Sequence, residues 1–316
     1  MSKLISILVP AYNEEDVIEL FYNETVKVID KIDKKLYSFE LLFINDGSND
    51  NTLGILQKLR KNDIRVCYID LSRNFGKEIA LTAGLDNIKK ISDAVIIMDA
   101  DLQHPPILIP KLIKSWELGN KDVYARRKDR GGESFLKKSF SNLYYKIINS
   151  LSEVEIQNDI GDFRLLDKKV IAAFLKLRET QRYNKGLFTW VGFKKSFVDY
   201  EVANRQGGET KWSFSKLFNL AVEGITSSTT KPLKIASIFG IIVSGFAFIW
   251  LIKVFIKTLF YGEEIQGYPS LMITVLFLGG IQLLSLGLIG EYIGRIFKET
   301  KNRPLYFLNE IKNNEK

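Results

Sequence analysis

The sequence predicts an α/β protein: a mostly parallel sheet with helices on both faces, followed by interfacial helices and two transmembrane helices. Three observations predict this fold class. Short apolar runs rich in β-branched residues alternate with stretches long enough for helices, which is typical of parallel sheets. Polar clusters stand directly after these runs, where ligands bind such sheets. Two apolar segments in the last third of the chain hold no charged residue.

Five apolar runs are the expected strands. They lie at residues 5–9, 41–44, 66–69, 94–98 and 123–125. The chain has 316 residues, of which 46% are hydrophobic, and this suffices for one such domain and an additional part. Polar loops follow four of the runs, at residues 11–15, 45–52, 99–104 and 126–130. Because the carboxyl ends of parallel strands share one edge of a sheet, we expect these four loops to converge.

Amphipathic segments at residues 134–150 and 213–230 follow the sheet, and they either lie in a membrane interface or pack on the soluble core. The expected division places a sheet domain at 1–212, a juxtamembrane helix at 213–232, a two-helix transmembrane hairpin at 233–296 and a tail at 297–316. The polar end of that tail, residues 309–316, is expected to fray.

Each uncharged segment, 235–252 and 267–290, is long enough to cross a bilayer. Basic residues flank the outer ends of the pair, whereas Glu263 and Glu264 occupy the connection. The positive-inside rule then places both termini and the sheet domain in the cytoplasm. Two buried core helices are the alternative. The N-terminus shows no secretory signal, and the single cysteine, Cys67, is expected to be a buried strand residue in a reduced compartment.

Lys and Arg number 45 against 37 Asp and Glu, which gives a formal charge of +8. This excess suits a polyanionic partner, whether nucleic acid, anionic lipid or a diphosphate, and charge alone does not choose among them.

Asp99 and Asp101, separated by one residue, directly follow the strand at 94–98. Two carboxylates so placed can reach one Mg²⁺ or Mn²⁺ that also contacts substrate phosphates. A turn or helix cap is the alternative for an isolated pair of this kind. His104, the only histidine, stands close by and is expected to have a structural role.

The loop at 45–52 offers Asn45 and Asp46 as hydrogen-bonding groups for a base or ribose, while Gly47 permits a tight turn. Ser48, Asp50 or Thr52 is also expected to cap the following helix. Three residues after the first strand complete the expected pocket: Pro10, Tyr12 and Glu14.

The chain resembles the family-2 glycosyltransferases of the GT-A fold, in the branch of dolichyl-phosphate mannose synthases and bacterial bactoprenol glycosyltransferases. The matching strings are Val-Pro-Ala-Tyr-Asn-Glu-Glu at 9–15, Asn-Asp-Gly-Ser at 45–48, Asp-Ala-Asp-Leu-Gln-His-Pro-Pro at 99–106, Gly-Asp-Phe-Arg-Leu at 161–165 and Arg-Gln-Gly-Gly-Glu-Thr-Lys at 205–211. The resemblance covers nearly the whole chain and includes the two C-terminal spans.

The resemblance implies roles for individual residues. The nucleotide-binding residues would be Pro10, Tyr12, Glu14, Asn45, Asp46 and Asp99, although the family often has Asp where this chain has Asn45. The metal would be held by Asp99, Asp101 and Gln103. The catalytic residues would be Asp101, Asp162 and Arg205, with Asp162 acting as a positioning residue or a base. The acceptor phosphate would contact Arg126, Lys137, Ser141, Arg205 and Lys211. A membrane-surface role is the alternative for Lys137.

The implied activity is inverting, metal-dependent transfer of one sugar, from UDP-glucose or UDP-N-acetylglucosamine, to undecaprenyl phosphate for modification of cell-envelope glycans. The implied location is the bacterial cytoplasmic membrane. A flippase, a downstream glycosyltransferase and a second copy of the chain, packed through glycines of the spans, are expected partners, and nucleic acid is not.

Two other functions compete. A processive polysaccharide synthase would usually carry Gln-x-x-Arg-Trp and more spans, whereas Gln181 is followed here by Arg182 and Tyr183. A non-catalytic scaffold that binds nucleotide sugars at the membrane is the second. A labelled-sugar assay separates it from an enzyme, because a scaffold leaves the lipid unlabelled.

Overall fold

The computed structural model describes residues 2–89, 91–127, 160–180, 182–200 and 267–313, together with single residues between 233 and 260. The chain forms two compact units. The first comprises Met1–Asn219 and Arg303–Lys316, and the second is Leu220–Asn302.

An eight-stranded sheet forms the centre of the first unit, as far as the structure describes it, in the order β7-β5-β6-β4-β1-β2-β3-β8. The strands are β1 Lys3–Ala11, β2 Tyr37–Asn45, β3 Val66–Leu71, β4 Ala94–Ile97, β5 Asp122–Arg127, β6 Ile160–Asp167, β7 Lys195–Tyr200 and β8 Leu308–Lys312. The central strands β4, β1, β2 and β3 pair in parallel. β6 is antiparallel to β4 and β5, β8 is antiparallel to β3, and β7 is parallel to β5.

Six helices belong to this unit within the described ranges. They are α1 Ile18–Ile29, α2 Thr52–Asn62, α3 Lys77–Asn87, α4 Ile109–Glu117, α5 Lys168–Phe174 and α6 Asn184–Trp190. A 3₁₀ turn at Pro106–Leu108 precedes α4. Connections by helices are what parallel strands require.

Alternating side chains of the central strands pack on opposite faces of the sheet. Ile7 of β1 belongs to the core cluster that includes Phe21 of α1 and Leu112 of α4. The neighbouring Leu8 belongs to a second cluster with residues of α3, α5 and α6. α3 approaches the sheet closely, since a Cβ at Gly84 would lie 2.5 Å from Leu8 Cδ1. The predicted α/β sheet with helices on both faces is therefore confirmed.

All five predicted strands are present, and three further strands were not predicted. The expectation that residues 309–316 fray is wrong for the part that β8 contains, because β8 hydrogen-bonds to β3. A side-chain hydrogen bond from Tyr68 Oη to Glu310 Oε2, at 3.0 Å, accompanies this pairing. The polar residues of β8 suit an edge strand that is largely exposed.

The second unit contains α7, Tyr268–Thr300, which covers the predicted span at 267–290. The segment Phe277–Thr300 has a mean hydropathy of 1.3 and is long and apolar enough to cross a membrane. Its large apolar side chains, among them Leu283 and Leu286, are exposed in the unit. The predicted span at 235–252 is described only at scattered single residues, so the pair of spans stays a prediction.

Candidate active site

Three of the four predicted loops, those after β1, β2 and β4, line a cavity of about 310 Å³ at the carboxyl edge of the sheet. The fourth loop, 126–130, lies mostly outside the described residues, and its convergence with the others stays a prediction. Six residues singled out from the sequence line it: Pro10, Tyr12, Glu14, Asp46, Asp99 and Asp101. Asn74, Gly76 and Lys77, at the start of α3, also line it and were not predicted. They follow the end of β3, so the rule that located the other loops could have found them.

The loops after β1 and β2 are joined by hydrogen bonds between side chains and backbone. Asn13 N donates to Ser48 Oγ at 3.0 Å, and Asn49 N donates to Asn13 Oδ1 at 2.8 Å. Glu14 N donates to Thr52 Oγ1 at 2.9 Å. Asn13 adopts a φ of 55°, a conformation that asparagine tolerates better than most residues. These bonds fix the backbone that presents Tyr12 and Glu14 to the cavity.

Asp46 holds the segment that precedes α3. Its two carboxylate oxygens accept from Phe75 N at 2.8 Å and Gly76 N at 2.9 Å. Burial raises the pKa of Asp46, and these two hydrogen bonds oppose that shift. Next to it, Gly47 has a φ of 64°, and a Cβ there would lie 2.3 Å from the Arg73 carbonyl carbon. Asp46 therefore shapes the cavity wall through backbone contacts.

Asn45 is buried and does not line the cavity. Its Nδ2 donates to Asp70 Oδ1 at 2.7 Å, and its Oδ1 accepts from Ser48 N at 3.4 Å. Asn309 of β8 donates to the other oxygen of Asp70 at 3.1 Å. Asn45 thus supports its loop from within the sheet, and direct contact with a nucleoside stays a prediction.

Acidic side chains concentrate on one wall of the cavity. Burial, followed by the charges of Asp101, Asp99 and Asp50, raises the pKa of Glu14 from its ordinary value of 4.5 to about 7. Asp50 itself accepts from Thr52 N at 3.0 Å, but the N-cap residue of α2 is Asn51, whose side chain makes no capping hydrogen bond, so the expected cap by Ser48, Asp50 or Thr52 is wrong. A bound cation would relieve the repulsion within this cluster.

Asp99 and Asp101 fit the predicted divalent cation. Both line the same cavity and offer hard oxygen ligands, as Mg²⁺ and Mn²⁺ prefer. The described residues contain no group of three or more His, Cys, Asp or Glu that could hold a metal. One or two carboxylates together with substrate phosphates commonly bind such an ion, so Asp99 and Asp101 suffice when a substrate supplies phosphate oxygens. Gln103 instead donates its backbone N to Asp101 Oδ1 at 3.0 Å and does not line the cavity.

Asp162 of β6 lies beside Asp99 and is paired with two lysines. Lys77 Nζ is 2.5 Å from Asp162 Oδ2, and Lys185 Nζ is 3.7 Å from Asp162 Oδ1. Burial favours the neutral acid, but the two ammonium groups prevail and lower the pKa of Asp162 to about 2. Asp162 is therefore ionised at neutral pH and poorly suited to act as a general base.

His104 is buried against the site. Its ring stacks on Phe163 with centroids 5.3 Å apart, and its Nδ1 lies 3.8 Å from Asp99 Oδ2. Burial lowers the pKa of His104, so the ring is neutral near pH 7. These contacts agree with the expected structural role.

Arg126 lies at the carboxyl end of β5 and is engaged by β7. Its Nε is 2.7 Å from Asp199 Oδ1 and its Nη2 is 3.1 Å from Asp199 Oδ2, while its guanidinium stacks on Phe197. Its role toward an acceptor phosphate stays a prediction. The other residues predicted for the acceptor and for catalysis lie outside the described residues: Lys137, Ser141, Arg205 and Lys211.

The fold is an α/β sheet with an acidic cavity at its carboxyl edge, which is where ligands bind in enzymes of this architecture. The chain belongs to glycosyl transferase family 2, whose pattern matches residues 6–175. Residues 231–296 match a second pattern, the GtrB C-terminal hairpin. The family resemblance and the enzymatic class are thus confirmed.

Similar proteins extend over nearly the full length. The chain is 46% identical to the putative glycosyltransferase CsbB of Bacillus subtilis (strain 168), over 97% of this chain and 92% of that protein. It is 43% identical to the prophage bactoprenol glucosyl transferase homolog of Escherichia coli (strain K12), over 98% and 99%. The bactoprenol glucosyl transferase of Shigella phage SfII is also 43% identical, over 97% of both chains. Among solved structures, mannosyltransferase PcManGT from Pyrobaculum calidifontis aligns with a TM-score of 0.46 and 14% identity, covering 83% and 89%.

Proposed function

We propose that this glycosyltransferase moves one sugar from a uridine diphosphate sugar to polyprenyl phosphate at the cytoplasmic face of a bacterial membrane. Glucose is the first candidate sugar, because two of the similar proteins carry the name bactoprenol glucosyl transferase. UDP-N-acetylglucosamine is the second candidate donor. The observation that carries the proposal is the cavity in which Asp99 and Asp101 lie beside Tyr12 and Glu14.

The cavity offers complementary groups to a nucleoside diphosphate. Tyr12 is 42% exposed and can flank a base with its ring. With a pKa of about 7, Glu14 can accept a hydrogen bond from a base when ionised or donate one when protonated. Asp46 fixes the backbone of the cavity wall at Phe75 and Gly76. When bound, a divalent cation held by Asp99 and Asp101 would neutralise charge that develops on the departing diphosphate.

The proposed reaction is a single displacement at the anomeric carbon. An oxygen of the lipid phosphate forms the new C–O bond while the bond to the nucleoside diphosphate breaks, and that diphosphate leaves with the electron pair. The configuration inverts. A phosphate monoester has a second pKa of about 6, so the attacking oxygen is already largely ionised. Asp162, with its low pKa, would then position neighbouring groups and would not remove a proton.

The acceptor side of the proposal involves the hairpin and the basic residues. The match of 231–296 to a hairpin family and the apolar α7 support a membrane location for the acceptor. We propose that Arg126, Lys137, Ser141, Arg205 and Lys211 receive the lipid phosphate, with Arg205 closing over the donor. The same proposal includes domain boundaries at residues 212, 232 and 296 and a cytoplasmic location for both termini. It also includes a flippase and a downstream glycosyltransferase as partners.

A donor panel tests the function. The full chain in detergent would be incubated with undecaprenyl phosphate and radiolabelled UDP-glucose, UDP-N-acetylglucosamine or GDP-mannose, and the labelled lipid would be separated from the free nucleotide sugar. We expect label in the lipid from a UDP-sugar, with one sugar per lipid. A chain that binds UDP but labels no lipid with any donor would be a scaffold, and a polymeric product would indicate a processive synthase.

A further inference from the structure

Lys77 is a cavity residue to which the motifs assigned no role. It is the first residue of α3, and its Nζ lies 2.6 Å from Asp99 Oδ1 and 2.5 Å from Asp162 Oδ2. Asp99 follows β4 and Asp162 lies in β6. One ammonium therefore bridges carboxylates from two strands at the edge where the donor is proposed to bind.

Two carboxylates that share one ammonium at these distances would repel each other without it. Lys185 also approaches Asp162, at 3.7 Å from Oδ1, which is the oxygen that Lys77 does not contact. At Asp99, Lys77 contacts Oδ1, one of the oxygens that the proposed function assigns to a divalent cation. The ammonium of Lys77 thus contacts an oxygen of Asp99 that the proposed metal would also use.

We propose that Lys77 is the resident counter-ion of the donor site. Before the donor binds, it holds Asp99 and Asp162 in place and competes with the divalent cation for Asp99. After the metal and donor bind, its ammonium stays paired with Asp162 and neutralises charge on the donor's diphosphate. This inference deepens the proposed function and rests on its donor site.

The side chain of Lys77 is suited to such an exchange. It lines the cavity and is 39% exposed, so its ammonium can leave Asp99 without disrupting core packing. A divalent cation attracts a carboxylate more strongly than an ammonium does and repels a neighbouring positive charge. Lysine is a flexible point charge, which permits the move from a carboxylate to a phosphate.

Two titrations of the full chain in detergent test the proposal. Isothermal titration calorimetry would measure the Kd of Mn²⁺ alone, and then the Kd of UDP at saturating Mn²⁺. In Lys77→Met, we expect Mn²⁺ to bind about tenfold more tightly and UDP about tenfold more weakly, because one positive charge has left the site. If Lys77 were merely structural, its loss would weaken the binding of both Mn²⁺ and UDP. Tighter Mn²⁺ binding together with weaker UDP binding therefore identifies a counter-ion.

Two further variants complete the experiment. Among the described residues, Lys185 forms an ion pair with Asp162 and none with Asp99, so we expect the Mn²⁺ affinity of Lys185→Met to stay within about threefold of wild type. Lys77→Gln keeps a hydrogen-bond donor but not the charge. It should also bind Mn²⁺ more tightly and UDP more weakly than the wild type, even if Lys77→Met folds poorly. If the wild type binds Mn²⁺ and UDP but neither Lys77 variant binds Mn²⁺ more tightly, the counter-ion role is wrong and the proposed function stands. A wild type that binds neither ligand overturns both.

Discussion

Single side chains in the cavity depend strongly on their charged neighbours. Glu14 and Asp162 are both carboxylates at one sheet edge, yet the pKa of Glu14 rises to about 7 and that of Asp162 falls to about 2. Glu14 faces Asp99 and Asp101, whereas Asp162 faces Lys77 and a second lysine. Burial and then the neighbouring carboxylates raise the pKa of Glu14, whereas the two lysines keep Asp162 ionised.

Asp101→Ala should abolish most sugar transfer and leave the fold intact. A positioned metal contributes several kcal/mol to such a reaction, so we expect a loss of kcat of at least about 100-fold. Asp101 is only half-buried, and its described hydrogen bond is with Gln103 N, so the melting temperature should change little. The measurement is labelled lipid per unit time, with circular dichroism as the check on folding.

Asp93→Asn is the matched control for that variant. Asp93 precedes β4 at the opposite edge and pairs with Lys168 at 3.0 Å, so its loss should leave kcat within about twofold. Wild-type transfer by Asp101→Ala in excess EDTA would contradict the assigned role.

Glu14 should make the stability of the protein depend on pH. Its folded pKa of about 7 lies above the ordinary value of 4.5, so the folded state binds more protons between these values. The free energy of unfolding should therefore fall as the pH rises from about 4.5 to 7. Glu14→Gln should remove this part of the slope. Chemical denaturation of both proteins at pH 5 and pH 7.5 checks the prediction, and equal pH dependence in the two would refute it.

At the scale of elements, the site depends on how closely loops and helix ends approach one another. The segment before α3 passes directly over Gly47 and is held by Asp46 through the backbone N–H groups of Phe75 and Gly76. The same segment leads into Lys77. A displacement of this loop would therefore move the cavity wall and the counter-ion together.

Gly47→Ala should disrupt both stability and donor binding. The variant must accept a positive φ and a Cβ 2.3 Å from the Arg73 carbonyl carbon, so we expect a loss of about 2 kcal/mol or more in the free energy of unfolding. Gly119→Ala is the control, since Gly119 has a φ of 90° but nothing within 4 Å of its added Cβ. Denaturation midpoints and UDP affinity measure the difference. Equal losses in the two variants would show that the close contact is unimportant.

The strands that the sequence predicted are those whose burial makes them apolar. The side chains of β1 to β5 belong to the two core clusters on either side of the sheet. These strands therefore appear in the sequence as apolar runs. β6 escaped prediction because Asp162, Arg164 and Asp167 interrupt it, and Arg164 is stabilised only in the fold, where it pairs with Asp122 at 3.4 Å. β8 is a polar edge strand whose partner, β3, is more than two hundred residues earlier. Such pairing leaves no local pattern.

The same reasoning explains which parts of the site were predictable. Residues directly after apolar strands were found, because strand ends share an edge. Lys77 was missed because polar loops were expected after the other four strands and not after β3. Its ion pair with Asp162 could not suggest it either, since β6 was not expected. Likewise, the Asp199 that engages Arg126 lies on β7, which the sequence did not reveal.

At the scale of the whole molecule, a charged catalytic unit and an apolar helical unit occur in one chain. Exposed large apolar side chains along α7 need a cover that water does not provide. The family match of 231–296 to a hairpin agrees with the proposal that lipid is that cover. Basic residues follow α7, among them Lys301 and Arg303, and favour the cytoplasmic side.

Membrane topology gives the corresponding prediction. Cys67 is buried, so new cysteines can be labelled selectively in intact bacterial cells. A membrane-impermeant maleimide should label Glu263→Cys in intact cells and Asn313→Cys only after the cells are permeabilised. Gel-shift detection of the labelled chain measures this. Labelling of Asn313→Cys in intact cells would place the C-terminus outside and contradict the proposed topology.

The pairing of β8 with β3 constrains how often the chain can traverse a bilayer. β3 precedes the apolar segments in the chain and β8 follows them, yet both are strands of one sheet. A polypeptide that departs from a sheet and returns to it must finish on the side where it started, so its number of traversals has even parity. If α7 is one traversal, an odd number of further traversals must lie in the chain between β7 and β8, which is the parity that the proposed pair of spans satisfies.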